Sequence, residues 1–169
     1  FLENNQFFSN VGGLYGNIDG VSPSAQLIRL WATSAGTFLL LRDQAKVVLQ
    51  KCDFAPSNDT LRRWPCMPAS VAPLPVTTTD FVTSLANRPF GSVWANWQLA
   101  VATADQLWSF GLNVPANASI LTQLASASLQ GSGIAPYTLA ALELVDDHAV
   151  LVGASTQGFL VVLRSSLFP

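Results

Sequence analysis

The stretch Thr138-Leu-Ala-Ala-Leu-Glu-Leu-Val-Asp-Asp-His-Ala-Val-Leu-Val-Gly-Ala-Ser-Thr-Gln-Gly-Phe-Leu-Val-Val-Leu-Arg164 decides how this chain folds. It contains three runs rich in Leu, Val and Phe: Thr138 to Val145, His148 to Ala154 and Gly158 to Arg164. Asp146-Asp147 and Ser155-Thr-Gln157 separate them. Runs of this length between polar turn residues predict β-strands joined by short turns.

Working outward, the same signature recurs. Thr37 to Arg42 and Lys46 to Lys51 predict a hairpin with Asp43-Gln44 between its strands. Val93, Ala95, Trp97, Leu99 and Val101 alternate along Ser92–Val101, and Trp108, Phe110, Leu112 and Val114 along Leu107–Val114. Period-two alternation predicts strands with one buried face. Pro115 ends the second of these. Other segments read differently. Leu27, Ile28, Leu30 and Trp31 suit a short helix over Ser24–Ala32, with Ser22-Pro-Ser24 ahead of it to start one. Thr77-Thr-Thr-Asp80 is expected to cap a second short helix through Phe81–Ala86. Ser119–Leu129 reads as a helix turn or a loop. Residues 53–79 hold five of the ten prolines and predict a long surface connection. Residues 1–25 read as an arm with turns and a short strand near Gln6–Phe8, and residues 26–169 as a single domain. The expected class is all-β, an antiparallel sandwich or barrel with one or two short helices.

Composition sets the function class. Half of the 169 residues are hydrophobic and 11% are charged, against about a quarter charged in ordinary soluble domains. The apolar excess comes as many short runs. None approaches the roughly 20 residues of a membrane-spanning helix; Leu27–Leu41 comes nearest and is interrupted by Arg29 and Gly36. Such a chain must hide apolar area on more faces than one small domain covers, which points to a subunit surrounded by neighbours. Net charge is −2, with eight Lys and Arg in all, so no basic surface advertises nucleic-acid binding. The sequence starts without an initiator Met or a visible signal peptide, so we expect a processed product or an ordered fragment.

Few residues of the chain have the types and spacing that chemistry needs. The single histidine, His148, follows Asp146-Asp147, but no G-x-S-x-G elbow marks a nucleophile. Asp146 and Asp147 would diverge in a strand and read as a solvated turn, and Glu143 completes no ligand set. Two Cys and one His are too few for structural zinc. Val11-Gly-Gly-Leu-Tyr-Gly16 lacks the Lys of a phosphate loop. We therefore expect no catalytic residue, cofactor or metal. The 14-residue spacing of Cys52 and Cys66 permits a disulfide, but two cysteines are no disulfide framework, and free structural thiols are the favoured expectation over a bridge. The glycosylation tripeptides at Asn58 and Asn117 are expected to be coincidental. Of the five tryptophans, Trp64, Trp94 and Trp108, together with Phe168, are candidates for an interface, since aromatic side chains are enriched there.

Three segments together resemble the jelly-roll coat proteins of picorna-like viruses. Leu27-Ile-Arg-Leu-Trp-Ala-Thr-Ser-Ala-Gly-Thr-Phe-Leu-Leu-Leu-Arg42 is similar to the family's passage through a Trp and a Gly into a strand. Gly91-Ser-Val-Trp-Ala-Asn-Trp97 with Leu107-Trp-Ser-Phe-Gly-Leu-Asn-Val-Pro115 is similar to its paired strands ending in a Val-Pro step. Val150 to Pro169 is similar to its last strand pair, with Thr156-Gln157-Gly158 where the family commonly has acidic residues. The family also has two or more strands before its Trp segment, whereas about 25 residues precede Leu27 here. The resemblance implies a jelly-roll capsid subunit without enzymatic activity. Its partners would be sister coat chains, RNA weakly or indirectly, and a host receptor, and its place the virion. The competing expectation is a secreted or virion-surface binding module using an exposed Trp; a hydrolase centred on His148 ranks third.

Overall fold

The structure is a computed structural model that describes residues 2–3, 6–8, 15–19, 21–33, 36–52, 63–68, 73–87, 97–113, 120–145 and 148–164. The chain divides into two compact units, Phe1–Pro75 and Val76–Pro169. The boundary falls inside the stretch expected to form one domain, at the end of the proline-rich segment.

The first unit contains β1 (Leu2–Glu3), β2 (Gln6–Phe8), β3 (Tyr15–Asp19), β4 (Gln26–Thr33), β5 (Gly36–Asp43), β6 (Lys46–Cys52) and β7 (Arg63–Pro68). They form one sheet in the order β1-β2-β3-β7-β6-β5-β4. Its neighbours pair antiparallel except β3 and β7, which run parallel. The expected hairpin is β5–β6, closed by Asp43 opposite Lys46. Its turn places Gln44 at φ 55°, a left-handed conformation uncommon for a residue other than glycine. On one face Val21, Leu39, Leu41, Cys52 and Cys66 form a small core. On the other, Phe38, Leu40 and Leu49 are also buried, so β5 is covered on both sides. That explains its unbroken Phe-Leu-Leu-Leu run.

Two expectations are corrected in this unit. Ser24–Ala32 is not a helix: residues 26–33 are strand β4. The apolar residues at 27, 28, 30 and 31 mimic helical spacing because a bulge lies between Leu27 and Arg29. Leu27 opposes Leu41 and Leu30 opposes Leu39, so two residues three apart share one face of a strand. Gly36, at φ 121°, returns the chain into β5, and the Thr33 hydroxyl donates to its carbonyl at 2.7 Å. The cysteines are not free: Cys52 and Cys66 are bonded, with Cα atoms 4.1 Å apart. They stand directly opposite in β6 and β7, a register that a spacing of 14 in sequence does not reveal.

The second unit contains β8 (Val82–Asn87), β9 (Trp97–Ala102), β10 (Gln106–Asn113), β11 (Ile120–Ser128), β12 (Thr138–Val145), β13 (His148–Ser155) and β14 (Gly158–Arg164). They make two antiparallel sheets, β11-β10-β9-β8 and β12-β13-β14. The core between them joins Ala100, Ala102 and Leu107 of the first to Leu139, Leu142, Ala149 and Leu151 of the second. This is a β-sandwich. Neighbours in each sheet are consecutive in sequence; the long Greek-key return of a jelly roll is not among the described pairings. The strands expected at 138–145 and 158–164 have those bounds.

The second expected helix is also corrected: β8 pairs antiparallel with β9 from Val82 to Asn87, and no helix occurs among the described residues. Ser119–Leu129 is neither a helix turn nor a loop but largely strand β11. A bulge places Leu124 outside its register with β10. The β11–β12 link crosses between the sheets and plugs one end of the sandwich. Leu129 and Ile134 are buried there, and Leu129 N–H donates to Asp105 C=O at 2.8 Å. This link lies so close to β13 that a Cβ on Gly153 would stand 2.5 Å from Ile134 Cδ1 and 2.6 Å from Tyr137 Cβ.

Candidate interaction surface

Strand alternation divides the β12-β13-β14 sheet into two faces. Leu142, Ala149, Leu151, Leu160 and Val162 point into the sandwich core. The register then fixes the other face: Phe159 opposite Ala154, Val161 opposite Val152, and Val152 in turn opposite Ala141. Phe159 is 78% exposed, Val161 55% and Val145 48%. Val150 and Val152 are half-buried, and the register places the exposed Glu143 and His148 on this face as well. A strand that is apolar on both faces normally belongs in a sheet covered on both sides. Here one side is covered and the other open, and β14 is also the sheet's edge.

The first unit has a smaller apolar edge of its own. β4 closes its sheet, and Leu27, Ile28 and Leu30 are each 37–38% exposed. Arg29 and Trp31 share a face, two residues apart, with the guanidinium carbon 5.5 Å from the indole centroid. That distance suits a cation–π contact. Met67 on β7 is exposed as well.

One buried polar pair lies inside the sandwich. Gln98 Nε2 donates to Ser109 Oγ at 2.8 Å, both buried, on the face of β9 and β10 that looks into the sandwich. The hydrogen bond satisfies a group that would otherwise be costly to bury, and the pair contains nothing that titrates. His148 opens β13 exposed to solvent, and its strand partner is Val145 rather than Glu143. Among the described residues no three His, Cys, Asp or Glu side chains gather as a metal site, and no helix is long and apolar enough to cross a membrane.

The four interface candidates are not brought together. Trp108 is half-buried in β10, opposite Val101. Trp64 lies in β7, its backbone paired with Ile18. Trp94 and Phe168 lie outside the described residues, as do Asp146, Asp147, Asn58 and Asn117. Sequence reasoning that followed tryptophan missed Phe159 and Val161. Their signal was present in the unbroken run Phe159-Leu-Val-Val-Leu163, which lacks the polar residues of a wet face. Among known proteins, no family model matches the chain and no curated protein is significantly similar to it.

Proposed function

We propose that this chain is a structural subunit, a coat protein that packs with sister chains into an icosahedral shell around an RNA genome. The observation that carries the reading is the open apolar face of β12-β13-β14, crowned by Phe159 and Val161. Exposed apolar patches on folded chains mark surfaces that a partner covers, and a shell covers its subunits on several sides. The apolar β4 edge supplies a second such surface. The viral assignment and the jelly-roll form of the sandwich rest on the resemblance of residues 27–42, 91–115 and 150–169 to picorna-like coat proteins. With eight Lys and Arg, RNA contact is weak or indirect. Purification from its natural source tests the proposal: it predicts particles of uniform size containing sister chains and RNA. A chain recovered alone, with neither, contradicts it.

A second reading, a secreted or virion-surface binding module, is favoured by the Cys52–Cys66 bond. Disulfides persist in oxidising compartments and are rare in the cytosol. The tripeptide Asn58-Asp-Thr60 lies between the bonded cysteines, and Asn117-Ala-Ser119 lies in the second unit. Intact mass of the chain made in a eukaryotic secretory host separates the two readings. Glycan at Asn58 or Asn117 favours the module, and an unmodified mass favours the coat subunit.

A further inference from the structure

We propose that the Cys52–Cys66 bond is a redox-sensitive latch that fastens strands β1–β3, through β7, to the β4–β6 sheet. This inference rests on the connectivity of the first unit and is independent of either functional reading. Among the described residues, strand β7 alone joins β3 to β6 in the sheet. On each side it is held by three residue pairs: Asn17, Ile18 and Asp19 with Arg63, Trp64 and Pro65, and Gln50, Lys51 and Cys52 with Pro68, Met67 and Cys66. The β4–β5 and β5–β6 seams have seven pairs each. Two of the six residues of β7 are proline, which has no N–H to give to a ladder. The seam that carries the covalent bond is therefore less than half as long as the two seams beyond it in the β4–β6 sheet. Around that bond Val21, Leu39 and Leu41 supply a small apolar cluster.

A dithiol reductant is the co-reactant that opens the latch. Its thiolate attacks Sγ of Cys66, since Cys66 is 6% exposed while Cys52 is fully buried. The S–S bond breaks, Cys52 leaves as a thiolate and takes up a proton, and a mixed disulfide forms at Cys66. The second thiol of the reductant then displaces Cys66, which is protonated in turn. Two electrons pass from the dithiol to the cystine; the products are a cyclic disulfide and two cysteine thiols.

Hydrogen–deuterium exchange on the full chain, with and without dithiothreitol, tests the proposal. Thiol alkylation followed by mass measurement scores the bond in each sample. The expected result is no alkylation before reduction. After reduction, amides of β1–β3, β7 and residues 50–52 should exchange about 100-fold faster, the scale expected for a loop of this size losing its cross-link. The rest of the β4–β6 sheet and the second unit should stay protected. The Cys52→Ala/Cys66→Ala variant should reproduce the reduced pattern without reductant; if it does not fold, the wild-type comparison decides alone. Alkylation of the untreated protein overturns the proposal. So does unchanged exchange after full reduction, or loss of protection across the whole first unit, which would make the bond a general staple.

Discussion

Strands β11 and β14 edge the two sheets of the same sandwich and are built from opposite materials. The exposed residues of β11 are Thr122, Gln123, Ser126 and Ser128, with Leu124 thrown out of register at a bulge. Those of β14 are Phe159 and Val161, in an unbroken ladder with β13. Polar side chains and bulges are how sheets keep their edges from pairing with other chains. β11 has both devices, whereas Phe159 and Val161 of β14 are apolar and its ladder with β13 has no bulge. The difference teaches that the two edges of one sandwich differ in kind: the exposed side chains of one are mostly polar, and those of the other are apolar.

Three substitutions sharpen that contrast, taken from the largest effect on stability to the smallest. Leu151→Ala removes a side chain buried between the sheets and should cost about 3 kcal/mol in chemical denaturation. An effect as small as that of a surface substitution would mean that the inner face is not the core. Gly153→Ala puts a methyl group where Ile134 and Tyr137 already sit. Overpacking of this kind costs about 1–3 kcal/mol, read as a lower midpoint at unchanged slope. A neutral result would show that the 129–137 link yields freely. Val161→Thr, on the open face of the same sheet, should change monomer stability by no more than about 0.5 kcal/mol. A loss comparable to Leu151→Ala would mean that this face is already covered within the chain.

How much of this was legible in the sequence follows from how clearly each strand is bounded. β12, β13 and β14 read directly, despite a bulge in β12 between Leu139 and Ala141, because each run is bounded by turn residues and pairs with its neighbour in sequence. β5 and β6 read equally well. β4 and β11 did not, for one shared reason. A bulge near Ile28 and another at Leu124 shift the apolar phase by one residue, and Leu27 and Leu30 then look like neighbours on a helix. β8 was missed because Thr77-Thr-Thr-Asp80 resembles a helix cap, while its pairing with β9 lies beyond local reach. The Cys52–Cys66 bond and the Gln98–Ser109 hydrogen bond both depend on strand register, which the spacing of two residues does not encode. As for the surface, composition revealed the excess of apolar area but not its location. Tryptophan drew attention to Trp64, Trp94 and Trp108, while the most exposed large apolar side chain described is Phe159.

The central claim is that the open face of β14 exists to be covered by another subunit. Sedimentation velocity over a concentration series tests it most directly, on the wild-type chain, on Phe159→Lys/Val161→Lys and on Thr122→Lys/Ser126→Lys. The account predicts that the wild type and the β11 variant associate as concentration rises, while the β14 variant stays monomeric and folded. A wild type that remains a monomer at every concentration, or a β14 variant that assembles as the wild type does, would contradict it.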